Sequence, residues 1–402
     1  MNAQPQAVAP DVRAAARALV PKIAARAAQA NHWRRLHDET YTALHDSGIM
    51  SVLRPARFGG LEMPWGTHAE VALILAEGCG STAWIASVVS AHTWTAGRMG
   101  LEFQAEVFDR PDALVSTAFA NGRNARIEAV DGGFKVSGRW ALASGIDHAD
   151  WLLAAAMAPD NRWGRFQTTL FGIPRRNVRI LDTWDAEGLK ATGSHDVVVE
   201  DVFVPVHRTA SFDSVSRDGD QELPWLYRLD ILPYYYTTLL GPVVGCARGA
   251  FLEYLRITQD RVGLMHGDEI RRQTPVQLRV AECGAQIHAA HLLMDETFAI
   301  CRSGQDAERA LSREQKVRVR LNMGYAAKLC RDAVTRLQDM MGAAGLARDN
   351  PVNRLVRDAR AAASHAAIAW DAAALPFGAS ALGLPTGQDG IDQAASDGRP
   401  PL

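Results

Sequence analysis

Asp131-Gly-Gly-Phe-Lys-Val-Ser-Gly-Arg-Trp-Ala-Leu-Ala-Ser-Gly145 is where the chain changes its period. Asp131-Gly-Gly133 is a hairpin-type turn. From Phe134 to Trp140 apolar and polar residues alternate, as on a strand with one buried face. Upstream the spacing is helical: Leu19, Ile23, Ala27 and Ala30 recur at helix intervals, and Arg54-Pro-Ala-Arg-Phe-Gly-Gly60 interrupts them as a loop. Thr67 to Met99 reads as helix again, with Thr67 as N-cap and Glu70 completing a capping box. Downstream, Leu170-Phe-Gly-Ile-Pro174, Val178-Arg-Ile-Leu181 and the β-branched run from Asp196 to Pro205 predict further strands. Gly, Asn, Asp and Pro turns between them suggest a small barrel or sandwich. From about Ile231 helices return, with Pro242, Pro275 and Pro351 near their starts. Val352, Val356, Ala359, Ala363, Ala366 and Trp370 form one apolar stripe, predicted to run along a single last helix of a bundle. The expected organisation is therefore helical over residues 1–112, β over 113–228 and a helical bundle over 229–402, with a mobile tail or an arm on a neighbour from Pro385.

Composition narrows the function classes. At 402 residues the chain is long enough for two or three packed units. Its 43 cationic and 45 acidic residues nearly cancel, so bulk charge points to neither nucleic acid nor an anionic membrane as partner. The five cysteines are scattered and lack CxxC spacing, which argues against a disulfide framework or structural zinc. Met1 to Pro10 is polar, without the apolar core of a signal peptide, and no run suits a transmembrane helix; a cytoplasmic chain is expected.

Local catalytic motifs are missing. There is no GxGxxG after a strand, no phosphate loop and no HExxH. Ser194 and His195 are adjacent on a predicted strand and so point to opposite faces, which disfavours a nucleophilic pair. His288 and His291 lie three apart on a predicted helix without a third ligand, so no metal is expected. His32, His37 and His45 read as surface helix residues. His92 sits in the apolar stretch Ser81 to Trp94 and needs a partner, either backbone or ligand. His365 is flanked by alanines that leave room around the imidazole, as a pocket wall would. It shares a helix face with Arg354 and Asp358, which could equally be a solvated face. Ser144 ends the alternating strand after Trp140, where the pair could receive a flat heterocycle or simply form a turn.

Several segments in this order resemble the acyl-CoA dehydrogenase fold over about residues 11–385: Gly138-Arg-Trp-Ala-Leu-Ala-Ser-Gly145, Trp184-Asp-Ala-Glu-Gly-Leu-Lys-Ala-Thr-Gly-Ser194 with Asp196 to Pro205, and Gln338-Asp-Met-Met-Gly-Ala-Ala-Gly345 with Pro351 and Arg354 to Asp358. The resemblance implies an α+β, mostly α chain with an N-terminal helical domain, a central β-barrel and a C-terminal four-helix bundle. Dehydrogenases of this fold often carry a catalytic glutamate in the last helix. Here no glutamate lies between Pro351 and Leu402. The chain instead is similar to the oxygenase components of two-component flavin-dependent monooxygenases, which have a histidine in the first domain, a serine at the strand end and a histidine in the last helix. His92, Ser144 and His365 fall at those places.

The resemblance implies a reduced flavin, FMN first and FADH2 as the alternative, delivered by a separate NAD(P)H:flavin reductase. It implies O2 as co-substrate and a C4a-hydroperoxyflavin that hydroxylates a small phenolic substrate. Ser144 would then face flavin N5, and His365 the peroxide end. His92 and Trp94 would contact substrate, a role suited to an imidazole that titrates near neutral pH. Thr117, Trp140, Arg261, Gly342 and Gly345 would complete the cofactor site, Arg261 on a flavin phosphate and the glycines on a neighbour's cofactor within a homotetramer. The alternatives are nitrogen or sulfur oxygenation on the same fold, an acyl-CoA dehydrogenase, and a non-catalytic scaffold.

Overall fold

A computed structural model describes residues 10–119, 123–159, 166–216, 223–263, 267–348 and 350–392; the tail expected beyond Asp392 and the segment Met1 to Ala9 lie outside them. The first region holds α1 (Val12–Trp33), α2 (Asp38–Asp46), α3 (Thr67–Ala76), α4 (Gly80–Ala96) and α5 (Leu101–Val107). Leu19, Ile23, Ala27 and Ala30 form the buried side of α1, and the Asp11 carboxylate caps its first turn. The single helix expected from Thr67 to Met99 is two, because the backbone extends at Cys79 before α4 starts. The capping box is absent too. Gly66 is the N-cap, the Thr67 hydroxyl donates to the Pro64 carbonyl, and Glu70 accepts from Arg13 Nε at 2.6 Å. A charge-assisted pair outcompetes the backbone for that carboxylate.

Every residue of α4 is buried, although it carries six Ser or Thr. Small side chains let neighbours close on it from all sides, and several of the hydroxyls find carbonyl acceptors, while Thr93 Oγ1 is left without one. Ser90 and Thr95 donate to the carbonyls of Ala86 and Ala91, and Ser87 donates to Thr238 O on the far side.

The middle region contains β1 (Val115–Ala118), β2 (Arg123–Val130), β3 (Gly133–Ala143), β4 (Trp151–Pro159), β5 (Phe166–Pro174), β6 (Arg179–Leu181), β7 (His195–Pro205) and β8 (Thr209–Ser211). They make two four-stranded sheets, ordered β1-β4-β5-β8 and β2-β3-β7-β6. Between the sheets Phe134, Val136, Trp140, Phe171, Ile173, Val197, Val199 and Val204 form a second core, separate from the helical one. The β3–β7 ladder shifts register between Trp140 and Ala143, and Leu142 stands at φ 63°, a β-bulge.

After α6 (Phe212–Ser216) come α7 (Ile231–Thr237), α8 (Leu240–Thr258), α9 (Thr274–Asp306), α10 (Arg313–Met341), α11 (Pro351–Ala363), α12 (Trp370–Ala381) and α13 (Asp389–Asp392). The apolar stripe predicted on one last helix is broken. α11 ends at Ala363, and Ser364 to Ala369 form a turn before α12. Arg320 of α10 donates to the carbonyls of Ala367 and Ala372, which frees them from any need for helix partners. The described part of the tail is packed, not loose: Thr386 and Ile391 are buried, and Asp392 accepts from the Thr386 and Gly387 N–H groups. No helix among the described residues is long and apolar enough to cross a membrane.

Asp358 joins the regions. It lies on the α11 face that could have been solvated, yet is 1% exposed. Its Oδ1 accepts from Leu189 N at 2.7 Å, and it also draws on the Gly80 N–H at the start of α4. Only glycine permits this approach, since a Cβ on Gly80 would stand 2.6 Å from the Asp358 Cβ. Burial pushes the Asp358 carboxyl up, while the two backbone N–H groups and Arg354 pull it down. Removing it strands Leu189 N–H in the interior. Asp358→Ala is therefore expected to cost about 3 kcal/mol, and Asp358→Asn, which keeps an acceptor, less. Thermal unfolding of both variants checks this, and an unchanged midpoint in Asp358→Ala would remove the residue as the tie between regions.

Candidate active site

A cavity of about 510 Å³ opens where α4, the barrel, α7 and the turn after α11 meet. Trp84, Val88 and His92 line it from α4, one helical turn apart on a single face. Thr117 and Phe119 line it from β1 and the residue after, Ala141, Leu142 and Ser144 from the bulged end of β3, and His365 and Ala367 from the turn. Tyr235 and Tyr236 close the other side from α7. The cavity thus collects His92, Thr117, Ser144 and His365 from three regions of the chain.

His92 is 5% exposed. Its ring hydrogen-bonds to the Val115 carbonyl, while Nδ1 is buried with no partner. The neutral ring therefore carries its proton on Nε2 and offers an acceptor. Desolvation pushes its pKa down to about 3, so the imidazole is not near titration at neutral pH, contrary to the expectation for this residue. Around it stand Phe119 and Tyr235, each with its ring centroid 6.4 Å away, and Phe119 also meets Phe212 edge-on.

His365 has the opposite polarity. Its Nδ1 accepts from Ala367 N at 3.2 Å, so the neutral ring presents Nε2–H. It stands at the exposed mouth, 5.9 Å from the Trp84 ring between centroids, and desolvation by its neighbours lowers its pKa. It belongs to a turn and not to the last helix, because α11 has already ended.

Ser144 Oγ lies 2.7 Å from Ser194 Oγ and 3.4 Å from Trp84 Nε1. The Thr117 hydroxyl is buried and unpartnered. An apolar-walled cavity with orphaned polar atoms in its lining fits a planar heterocycle plus a small aromatic molecule. Among the described lining residues none is Asp, Glu, Lys or Arg.

Other predicted site residues lie elsewhere. Trp94 is fully buried away from the cavity, donating Nε1 to Leu226 O at 2.7 Å and packing on Trp65. Two residues along a helix are turned by roughly 200°, so Trp94 cannot share the face of His92. Trp140 points into the barrel core and donates Nε1 to Ala155 O at 2.7 Å. The bulge at Leu142 separates its face from that of Ser144. Arg261 does not line the cavity; its guanidinium donates to Met340 O and Met341 O at the end of α10, beside Gly342. Gly342 and Gly345 lie in the adjoining turn, also outside the cavity.

Ser194 and His195 point apart, with the His195 Nδ1 accepting from Thr183 N and Trp184 N. His37, expected on the surface, is 8% exposed and packs tilted against Trp33. His291 lies 3.5 Å from Asp295, and the described residues hold no group of three metal-ligating side chains. Trp84, not among the residues the sequence singles out, lines the cavity on the helix face that its spacing to His92 marks. In Tyr234-Tyr-Tyr236 nothing showed that Tyr234 would turn inward to Cys301 O while the other two face the cavity.

Residues 6–108 match the family model "Acyl-CoA dehydrogenase, N-terminal domain", and residues 238–370 match "Acyl-CoA dehydrogenase, C-terminal domain". The chain is 34% identical to the FADH(2)-dependent resorcinol hydroxylase oxygenase component of Rhizobium sp. (strain MTP-10005), over 96% of this chain and 98% of that protein. Among solved structures, 3-HSA hydroxylase from Rhodococcus sp. RHA1 superposes with a TM-score of 0.85 at 30% identity, covering 94% of this chain and 98% of that one. XiaF from Streptomyces sp., in complex with FADH2 and glycerol, gives a TM-score of 0.87 at 27% identity, with 94% and 96% covered.

The histidine environments predict the acid response. His92 and the equally buried His68 are both pushed down to about 3, so the unfolded chain binds more protons than the folded one below its own imidazole value of ~6.5. Stability is lost as pH falls through that point, by about 2 kcal/mol per histidine at about pH 5. In imidazole NMR of the selectively labelled protein, the His92 signals should stay those of the neutral ring from about pH 8 to about pH 5. A midpoint near 6.5 for His92 would contradict the burial assigned to it.

Proposed function

Because the chain belongs to the oxygenase components of two-component flavin-dependent monooxygenases, built on the acyl-CoA dehydrogenase fold, we propose that its cavity hydroxylates an uncharged phenol with reduced flavin and O2. The observation that carries this reading is the buried, unpartnered Nδ1 of His92 inside an aromatic-lined cavity that also holds Ser144 and His365.

Bound reduced flavin supplies the two electrons that activate O2 for transfer of one oxygen atom to the ring. The chain's own residues bind and orient. Ser144, Thr117 and the Trp84 indole would hold the ring system, with Ser144 at the N5 edge. His92 Nδ1 accepts the hydrogen bond of a substrate hydroxyl. With its pKa pushed down to about 3, His92 polarises that O–H and fixes its direction without carrying the proton away. The polarised oxygen pushes electron density into the aromatic ring, which favours attack on an electrophilic oxygen. His365 Nε2–H supplies a donor at the mouth, where an oxygen anion leaving the reaction would need a proton. Phe119, Phe212, Tyr235 and Leu239 keep water out.

An acyl-CoA dehydrogenase needs a carboxylate base at the substrate, and none is found among the described lining residues. The missing charges also suit an uncharged aromatic substrate. A reductase carried on a separate chain supplies the reduced flavin, as in the two-component systems to which the relatives belong. A homotetramer accounts for the exposed Leu278, Leu292, Leu346, Leu375, Leu382 and Leu384 of the helical region, which then form interfaces. In that assembly Gly342 and Gly345 would approach a neighbour's cofactor.

The test is single-turnover reaction of the anaerobically reduced complex, with FMN and FADH2 in parallel, against oxygen and a panel of phenols. Hydroxylated product is expected, with hydrogen peroxide as the uncoupled by-product. His92→Ala should lower the hydroxylation yield roughly tenfold to a hundredfold while circular dichroism stays native. No product from any phenol with either flavin would overturn the reading.

A further inference from the structure

Behind Ser144 lies a row of hydroxyls that ends on a carbonyl. Ser144 Oγ is 2.7 Å from Ser194 Oγ, Ser194 Oγ is 2.7 Å from Thr192 Oγ1, and Thr192 Oγ1 is 2.8 Å from Leu189 O. Ser194 is 4% and Thr192 1% exposed, so water does not share these contacts. The row has only one consistent set of proton directions. Leu189 O can only accept. Two oxygens at 2.8 Å with no proton between them repel, so Thr192 must donate to it. Having spent its proton, Thr192 can only accept from Ser194, and Ser194 in turn only from Ser144. Leu189 O also accepts from Trp184 Nε1 at 3.2 Å, which does not alter that direction.

The anchor is rigid. Leu189 stands in the left-handed region at φ 53°, with its N–H held by Asp358, and Ala191 N is held by Ser81 Oγ of α4. Ser144 itself is fixed through its carbonyl, which accepts from Ser116 Oγ at 2.9 Å. Ser144 therefore turns its proton away from the cavity. Toward the cavity it offers lone pairs alone, one of them weakly engaged by Trp84 Nε1 at 3.4 Å.

We propose that Thr192 and Ser194 are positioning residues that hold Ser144 as a fixed hydrogen-bond acceptor, so that the site selects reduced flavin over oxidised flavin. This rests on the flavin reading above, with Ser144 at N5. Reduced flavin carries a proton on N5 and can donate to Ser144. Oxidised flavin has only a lone pair there and meets the lone pairs of Ser144. A site fed by a separate reductase gains from such a bias, because spent oxidised flavin is displaced and not retained.

The experiment compares dissociation constants of reduced and oxidised FMN, measured anaerobically by flavin fluorescence and absorbance on the full chain. Wild type should bind the reduced form more tightly. In Ser194→Ala, Ser144 loses its acceptor and can rotate its proton into the cavity. Oxidised FMN should then bind more tightly than to wild type, and the preference for reduced flavin should fall by about tenfold. Thr192→Val should act in the same direction, and Thr192→Ser should restore the wild-type ratio. A general loss of packing would weaken both forms together, and that outcome, or an unchanged ratio in both variants, overturns the relay. Wild type that binds no reduced flavin overturns the functional reading itself, and the relay with it.

Discussion

The buried carboxylate of Asp358 is the contact on which the site depends. A charge in the interior is costly unless backbone dipoles converge on it. Here they come from Leu189 and from Gly80. The first belongs to the segment that leads into β7, the second to the start of α4, while Asp358 itself sits on α11. One side chain thus sets the spacing of the barrel, the central helix and the bundle. The cavity lies between those three bodies, so its width follows from that spacing. Leu189 also closes the row of hydroxyls behind Ser144. The same contact therefore anchors the residue whose carbonyl sets the proton direction of the serine.

The cavity itself is organised by where protons are absent. His92 faces it with an unpartnered acceptor and Ser144 with lone pairs, while His365 brings a donor at the mouth. Each polarity is decided by the group bonded on the far side: the Val115 carbonyl for His92, the Ala367 amide for His365, and the Ser194 hydroxyl for Ser144. In a cavity walled largely by apolar side chains such preset directions are stronger than in water and need no reorganisation when ligands bind. Arg320 holds the turn that carries His365 through the Ala367 carbonyl while lying over the Tyr236 ring at 4.6 Å.

The fold was legible because its signals are local. A change from helical to alternating period around Asp131 to Trp140 marks the barrel, and proline placement marks the bundle helices. His92, Ser144 and His365, which the resemblance singles out, line one cavity, and the four-residue spacings from Trp84 to His92 mark one helix face. Trp94 lies off the cavity although only two residues from His92, because a helix turns such neighbours to opposite sides. Trp140 turns into the barrel core although an even spacing separates it from Ser144, because the bulge at Leu142 cancels the parity of the strand.

The sequence by itself determined the order of the three regions, the near-neutral charge and the residue types available for chemistry, since these depend on composition and short-range periodicity. Tertiary structure alone decided which side chains meet and what state they are in. The neutral form of His92 arises from desolvation by residues far along the chain. The break after α11 comes with an arginine supplied by α10. The acceptor character of Ser144 comes from Thr192 and Ser194, held by Asp358 from the bundle. Burial and hydrogen-bond direction are properties of contacts between distant segments, and no local pattern encodes them.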